Sequence, residues 1–370
     1  MFDRSESIRA RLRSLPALVV AVLLVWWVLV ALIYRSGAYF LLAEPESNAG
    51  AMVNALLLVE RQYQPQARNV LVLGDSRVAE GFSGQIAGAD TPLHFIVAAV
   101  PGSTPRSWYY LLRELQRRGH AFEAVVIGIG SVANGSRLAD WPLSPLQDSP
   151  LLGWRDVFDY PASFATPELR ARARRAVWFP AYNLRADTVE LLKAPTRRWQ
   201  RARQTRELYL DAVFHYPGRE ESMPALALVA GGAGQVVADW GQASADQQPL
   251  IEAHLAEVQS AVAAPLLVEN ASYLRTWLGA LSALCQGQDA RLIAFALPRG
   301  PYPAAYVSQQ SVLPTLTTVA GLELLPADLL QSLEGPQFFF DTVHANRQGR
   351  AQISARVGAA VAGRLPSGGR

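Results

Sequence analysis

The stretch Val70–Ser76, with the sequence VLVLGDS, decides the fold class that we predict for this chain. A short apolar run that leads into a Gly-Asp-Ser turn is typical of a strand that ends abruptly. Open α/β sheets bind their ligands beyond the carboxyl ends of the strands. We therefore expect the hydroxyl of Ser76 to lie at such a strand end.

A second polar motif lies near the other end of the chain, in the segment Phe340–Asn346, with the sequence FDTVHAN. Asp341 and His344 are three residues apart, so one turn can bring both side chains to the same side. A serine hydroxyl needs a neighbouring imidazole to take its proton, and a carboxylate orients that imidazole and stabilises its charged form. Ser76, His344 and Asp341 together are candidates for a catalytic triad.

Both motifs also have a purely structural interpretation. Gly, Asp and Ser all favour turns and helix caps, and the Asp341–His344 pair could cap a final helix. The order of the motifs favours catalysis, because the serine follows the first strand of an α/β pattern. The Asp and His follow its last strand, just before a helix that we predict from about Arg347 onward.

At the level of motifs, though not across the whole chain, these residues resemble the SGNH or GDSL-type esterases and acyltransferases. That family carries its nucleophile in a Gly-Asp-Ser turn after the first strand, as Gly74-Asp75-Ser76 does here. It carries Asp and His three apart before the last helix, and His344–Gly349 is similar to its His-x-Asn-x-x-Gly ending. The resemblance implies a Ser-His-Asp enzyme, and we predict no cofactor and no metal.

The resemblance also suggests the donors of an oxyanion hole. Gly102, in the stretch Val100–Thr104, matches the family's second block, whose backbone amide acts together with that of the serine, here Ser76. The third block normally reads Gly-x-Asn-Asp after a strand. Here the strand is followed by Ser-Val-Ala-Asn, so the pattern is broken and Asn134 is the best candidate for the third donor.

Two arginines are candidates for substrate binding. Arg77 directly follows the proposed nucleophile, and Arg299 follows a later predicted strand. Both could face the cleft and recognise an anionic substrate. Simple surface exposure is the alternative for each.

An apolar segment near the amino terminus predicts a membrane anchor. Residues Ala17–Tyr34 contain no charge, and at ~1.5 Å per residue they are just long enough to cross a hydrocarbon core of ~30 Å. Four arginines precede this segment and two glutamates follow it, which predicts a cytoplasmic amino terminus with the remainder outside. The charged residues that set this orientation are Arg4, Arg9, Arg11, Arg13, Glu44 and Glu46.

A cleaved signal peptide is the alternative to an anchor. The apolar run exceeds a usual signal-peptide core, and no clear small-x-small cleavage site follows it directly; Arg35–Ala38 is the candidate for such a site. We therefore favour an uncleaved anchor. Tyr34 and Tyr39 fit the role of aromatic residues at the membrane interface better than the mid-span Trp26 and Trp27.

The rest of the chain predicts an α/β fold with one insertion. Strands alternate with helices, which favours a three-layer α/β/α sandwich with a mostly parallel sheet. The resemblance to the SGNH family implies that this sandwich is flavodoxin-like. We predict strands at 69–73, 94–98, 124–129, 291–297 and 322–325, and helices at 48–61, 106–118 and 270–286. The predicted domains are a cytoplasmic segment 1–16, a transmembrane helix 17–34, a catalytic domain 48–139 and 263–365, and a helical insertion or lid 140–262.

Composition agrees with one anchor and one sizeable domain. A chain of 370 residues, half of them apolar, can bury a full core, and its single cysteine, Cys285, forms no internal disulfide. The single lysine among many arginines suggests a GC-rich bacterial genome. The arginine runs 170–175 and 197–203 are interpreted as solvated helix faces, so we predict no nucleic-acid partner.

These observations predict O-acyl chemistry at the bacterial inner membrane, with the catalytic domain in the periplasm. A single span before an SGNH-like domain resembles the alginate-acetylation and teichoic-acid D-alanylation proteins, which work beside membrane-bound O-acyltransferases. We expect transfer or hydrolysis of an O-acyl group, such as O-acetyl, on an envelope polysaccharide. The alternatives are a lipase-like esterase acting on lipid esters near the membrane, and an inactive polymer-binding scaffold that partners an acyltransferase.

Overall fold

The computed structural model describes residues 4–35, 39–40, 43–130, 137–222, 226–228, 236–238, 249, 252, 268–298, 300, 313–341 and 343–366. The strands of these residues form a five-stranded parallel sheet in the order β2-β1-β3-β6-β7 and a two-stranded antiparallel pair, β4-β5. The strand bounds are β1 Arg68–Gly74, β2 Leu93–Ala99, β3 Ala124–Gly130, β4 Leu226–Leu228, β5 Val236–Ala238, β6 Arg291–Leu297 and β7 Leu322–Leu324.

Helices precede, connect and follow these strands. The α-helices are α1 Arg4–Arg35, α2 Asn48–Gln62, α3 Ser76–Gly81, α4 Gly84–Gly88, α5 Pro105–Arg117, α6 Ser144–Gln147, α7 Asp159–Ala162, α8 Pro167–Trp178, α9 Pro180–Asn183, α10 Arg185–Lys193, α11 Pro195–Phe214, α12 Val268–Gln286 and α13 Arg347–Ala362. Short 3₁₀ turns lie at Leu138–Asp140, Ser149–Leu151, Trp154–Asp156, Leu313–Leu316, Gln331–Leu333 and Pro336–Phe338.

Apolar side chains of the sheet face two separate hydrophobic clusters. Leu71 and Leu73 of β1 pack in a cluster with α2, α5 and α12. Val70 and Val72, which point to the other face of the strand, pack in a cluster with α3, α4 and α13. Strands that are buried on both faces need continuous apolar runs, which is the pattern that VLVL showed in the sequence.

The predicted α/β fold with a parallel sheet is confirmed, and the predicted strands and helices lie within two residues of the observed bounds. The segment predicted as a helical insertion differs in one respect, because it contains the antiparallel pair β4-β5, with Leu226 opposite Ala238. The two short strands are separated by the glycine-rich sequence 231–234, and glycine-rich connections favour hairpins over continued helix.

The amino-terminal helix α1 is longer than the predicted span. Within the described residues, its part Pro16–Arg35 is the one helix long and apolar enough to cross a membrane, with a mean hydropathy of 2.8 and 6% of it buried. A signal sequence near the amino terminus meets the same criteria of length and composition.

Tyr34 and Tyr39, which we predicted as aromatic residues at a membrane interface, are packed inside the protein. Both rings are buried, with exposures of 7% and 3%, in a small cluster that includes Leu184 of the inserted helices. The Tyr39 hydroxyl donates a hydrogen bond to Oδ2 of Asp187 at 2.7 Å. The inserted helices therefore pack directly against the end of α1 and the residues that follow it.

Candidate active site

Ser76 lies at the carboxyl end of β1, as predicted. The strand ends at Gly74, and α3 begins at Ser76 because Asp75 caps it, with its Oδ1 accepting a hydrogen bond from the amide of Arg77 at 2.9 Å. From β1 the sheet continues through β2 on one side and through β3 on the other. The strand order therefore changes direction at β1, and open α/β sheets bind their ligands at such a switch point.

The structure brings the three predicted catalytic side chains together. His344 Nε2 lies 2.8 Å from Ser76 Oγ, although the two residues are 268 positions apart in the chain. On the other side of the ring, Nδ1 lies 2.7 Å from Asp341 Oδ2. With Nδ1 donating its proton to the carboxylate, Nε2 carries the lone pair that can accept the Ser76 proton.

The Asp341 carboxylate is held in its ionised form by its surroundings. Burial alone acts to raise the pKa of Asp341, but hydrogen bonds from His344 and from two backbone amides outweigh it, so the pKa lies below its ordinary value. Those amides, of Val343 and His344, donate to Oδ1 at 2.9 and 2.8 Å. The same loop therefore orients the carboxylate and keeps it charged.

The motif His344–Gly349 has a clear structural role in the fold. Asn346 caps α13, with its Oδ1 accepting a hydrogen bond from the amide of Gly349 at 3.0 Å. Its side-chain amide donates to the carbonyl of Gln337 at 2.8 Å and to that of Glu221 at 3.1 Å. This buried side chain thus joins the loop that contains Asp341 and His344, which we call the histidine loop, to the segments around Gln337 and Glu221.

Gly349 permits close approach of α13 to the chain before the histidine loop. A Cβ atom at this position would lie 2.2 Å from the carbonyl oxygen of Phe338, which is a backbone atom that cannot move aside alone. Gly349→Ala should therefore lower the free energy of unfolding by roughly 1–3 kcal/mol, and ester turnover about tenfold, because α13 and His344 must shift.

The control for this change is Gly363→Ala, at the other end of α13, where a Cβ atom would meet nothing closer than 3.6 Å. Thermal unfolding and ester hydrolysis of the two full-length variants in detergent check the prediction. Equal stability of both variants would contradict the close approach.

A segment that sequence reasoning missed, Tyr216–Ser222, packs on the histidine loop. Phe340 stacks on the His344 ring, with 5.7 Å between the ring centroids and 13° between their planes. The guanidinium of Arg219 lies over Phe340 at 4.7 Å, and the Arg219 carbonyl accepts a hydrogen bond from the Arg347 amide at 2.6 Å. The Pro-Gly pair at 217–218 predicts a turn, but nothing local could indicate this distant contact.

The loop that contains Gly102 is fastened to the end of β1. The carbonyl of Gly74 accepts hydrogen bonds from the amide of Val100 and from Oγ of Ser103, both at 3.0 Å. Gly102 has a φ of +69°, a conformation that favours glycine. The Gly102 loop therefore lies beside the Ser76 turn, and an oxyanion role for the amides of Ser76 and Gly102 stays a prediction.

Support for this loop comes from α6 and the residue that follows it. Gln147 donates a hydrogen bond to the carbonyl of Pro101 at 2.7 Å. The next residue, Asp148, is fully buried, accepts a hydrogen bond from the Tyr160 hydroxyl at 2.9 Å and lies near the Arg106 guanidinium. Burial raises the pKa of Asp148 to about 6 in spite of these partners.

The raised pKa of Asp148 makes stability depend on pH. Because its pKa is higher in the folded chain than the ordinary 3.8, the favourable contribution is complete below pH 4 and is lost as the pH rises through 6. The free energy of unfolding should fall by about 3 kcal/mol over this window relative to Asp148→Asn. Unfolding in detergent at pH 4 and 7 checks this, with the exposed Asp159→Asn expected to follow wild type. Parallel curves for wild type and Asp148→Asn would contradict it.

Arg77, which we predicted to bind substrate, forms an ion pair with Asp75. Its Nη2 lies 2.7 Å from Oδ2 of Asp75, and its guanidinium occupies the space where a side chain at Gly130 would lie. The pair is about a quarter exposed, at the carboxyl end of β3. A role for Arg77 in substrate binding stays a prediction.

Two predicted site residues, Asn134 and Arg299, lie outside the described residues. Their roles as third oxyanion donor and substrate ligand therefore stay predictions. Within the described part of the chain there is no group of three or more His, Cys, Asp or Glu side chains placed to hold a metal.

No protein-family model matches this chain, and comparison with curated proteins finds no match.

Proposed function

We propose that this protein is a membrane-anchored, serine-dependent enzyme of the SGNH type that transfers or hydrolyses O-acyl groups. The observation that carries the proposal is the contact of one imidazole with a hydroxyl at 2.8 Å and with a carboxylate at 2.7 Å. Distances in this range permit direct proton transfer between nucleophile and base. The three-layer flavodoxin-like sandwich of that family is part of the proposal, and the two-sided packing of the parallel sheet supports it.

The first chemical step forms an acyl-enzyme. His344 Nε2 accepts the proton of Ser76 as its Oγ attacks the ester carbonyl, and Asp341 stabilises the resulting imidazolium. The oxyanion would accept hydrogen bonds from the amides of Ser76 and Gly102, with Asn134 as the third donor. One such donor commonly lowers the barrier by ~3 kcal/mol. The C–O bond to the leaving alcohol then breaks, and His344 returns the proton to that oxygen.

The second step decides between hydrolase and transferase. His344 takes a proton from water or from a glycan hydroxyl, whose oxygen attacks the acyl carbon and releases Ser76 with the proton returned to its Oγ. The same three residues serve both outcomes. We favour the transferase narrowly, with O-acetyl as the group and a cell-envelope glycan as the acceptor.

The proposed location supports this choice. With Pro16–Arg35 spanning the bacterial inner membrane and arginines on the cytoplasmic side, the catalytic domain lies in the periplasm. A tether raises the local concentration of an enzyme that modifies nascent envelope polymers, whereas a soluble esterase needs none. The proposed partner in this setting is a membrane-bound O-acyltransferase.

Active-site labelling tests the proposed chemistry. A fluorophosphonate probe should label the full-length protein in detergent, and mass spectrometry should place the adduct on Ser76. Ser76→Ala should not be labelled, whereas Ser272→Ala, a change at an exposed serine of α12, should be labelled like wild type. Labelling of Ser76→Ala at the wild-type level, or no labelling of wild type, would favour the inactive scaffold.

A further inference from the structure

The amino-terminal helix is in contact with the inserted helices along its last turns. The indole of Trp27 lies 4.7 Å from the ring of Trp154 and 6.0 Å from that of Trp178, and it donates a hydrogen bond to the Trp178 carbonyl at 2.9 Å. Near the end of the helix, the Arg35 guanidinium lies 4.3 Å from the Trp154 ring. The inserted helices therefore flank α1 from Trp27 to Arg35.

The length of the apolar segment decides where this contact lies relative to a membrane. The part of α1 that precedes the contact, Pro16–Trp26, has eleven residues and would reach only ~16 Å, about half of a hydrocarbon core of ~30 Å. Arginines at positions 4, 9, 11 and 13 prevent extension of the apolar span in the other direction. A spanning α1 must therefore keep its part from Trp27 onward in the bilayer, together with the rings that touch it.

Trp178, which touches α1, contacts Trp154 and lines a pocket with Phe158, and two further exposed aromatics follow it in the chain; we call these five residues the aromatic face. Its members lie in the segment before α7, at the end of α8 and on α9. A group of large exposed aromatics is uncommon on a surface that faces only water. They are Trp154, Phe158, Trp178, Phe179 and Tyr182, with exposures of 44%, 78%, 38%, 52% and 54%.

Exposed arginines border the aromatic face. Arg170 and Arg174 of α8 line a surface pocket of about 480 Å³ together with Phe158 and Trp178. The whole of α8 carries four arginines and one acidic residue. Aromatic rings beside arginines are typical of surfaces that lie in a membrane interface, where the rings enter the acyl boundary and the guanidinium groups reach the lipid phosphates.

We infer that the aromatic face inserts into the outer surface of an anionic phospholipid bilayer, directly beside the span. This inference rests on the proposed membrane span and goes beyond it, because a tether alone leaves the soluble domain free to tilt. Insertion of the aromatic face gives the protein a second contact with the membrane besides the span. Together the two contacts fix the orientation of the α/β domain over the membrane. Phe158, the most exposed ring, is expected ~5–10 Å below the lipid phosphates.

Spin labels on the full-length protein test the inference in nanodiscs of phosphatidylcholine and phosphatidylglycerol in a 7:3 mixture. In a Cys285→Ala background, one label is placed through Phe158→Cys on the aromatic face. A second, through Leu23→Cys, reports the span, and a third, through Ala327→Cys, reports the exposed loop after the edge strand β7. Power saturation compares access of oxygen, which prefers lipid, with access of a water-soluble nickel complex.

The inference predicts that the labels at 158 and 23 are reached by oxygen and protected from nickel, while the label at 327 is open to nickel. Arg170→Glu with Arg174→Glu should move the label at 158 toward the water. A label at 158 as open to nickel as that at 327, with the label at 23 protected, overturns the aromatic face and leaves the anchor intact. A label at 23 that is open to nickel overturns the span and this inference together.

Discussion

Ser76→Ala should lower kcat/KM for p-nitrophenyl acetate by about 10⁴-fold or more, because the attacking oxygen is lost while the fold is kept. Ser76 begins α3 and is only partly buried, and the cap of that helix is made by Asp75. The thermal midpoint should therefore change little. Stopped assays on the full-length protein in detergent, with differential scanning fluorimetry alongside, measure both quantities.

A double variant tests whether Ser76 and His344 act as one catalytic unit or contribute to kcat/KM independently. When the nucleophile and the base act together, removal of either one removes nearly all of their joint effect. Adding His344→Ala to Ser76→Ala should therefore cost almost nothing further in kcat/KM. Ser272→Ala serves as the matched control with full activity. Retention of more than a tenth of the activity by Ser76→Ala would show that the hydroxyl is not the nucleophile.

Asp341→Asn should lower kcat by about 10³–10⁴-fold with KM nearly unchanged. The asparagine oxygen can still accept the amides of Val343 and His344, so the loop is kept. Its side-chain amide, however, presents a donor to Nδ1 of His344, and the ring must then carry its proton on Nε2. That tautomer cannot accept the proton of Ser76.

The same variant has a distinct effect on the pH dependence of stability. The pKa of Asp341 is lowered in the folded chain, so its stabilising contribution is present above the pKa of the unfolded state and is lost as the pH falls through that of the folded state. Wild type should exceed Asp341→Asn in thermal midpoint at pH 7, and the difference should shrink below about pH 4. The direction is opposite to that of Asp148.

The exposed Asp328→Asn, in the loop after β7, is the control for both measurements and should match wild type. Activity of Asp341→Asn within tenfold of wild type would show that the carboxylate does not set the tautomer of His344. A gap in thermal midpoint that persists unchanged to pH 3 would show that its ionised form adds no stability.

Periodicity and turn chemistry were sufficient to predict the elements that carry the site. The apolar runs predicted β1, β3 and β6 because strands buried on both faces must be apolar throughout. The start of α13 was predicted to within a residue, and the capping residue Asn346 lies in the motif that indicated it. The triad could be proposed because its chemistry restricts the residue types to a nucleophile, a base and an orienting carboxylate.

Contacts between distant segments were not predictable in this way. No local pattern indicates that Arg219 lies over Phe340, or that Tyr34 and Tyr39 are buried against inserted helices, since each contact joins residues far apart in the chain. The sequence suggests that Arg77 binds a ligand in the cleft. In the structure, its guanidinium forms an ion pair with Asp75, two positions earlier. Side-chain pairing of this kind depends on rotamers that sequence does not specify.

By itself, the sequence determined the α/β class, the strand that presents Ser76 and the apolar length of α1, because these depend on local patterns of apolar, turn and capping residues. Only the tertiary structure decided that His344 Nε2 meets Ser76 Oγ across 268 residues, and that Trp27 meets Trp154 and Trp178. The physical reason is that such contacts are set by packing of whole elements, which closes long loops that no local preference encodes.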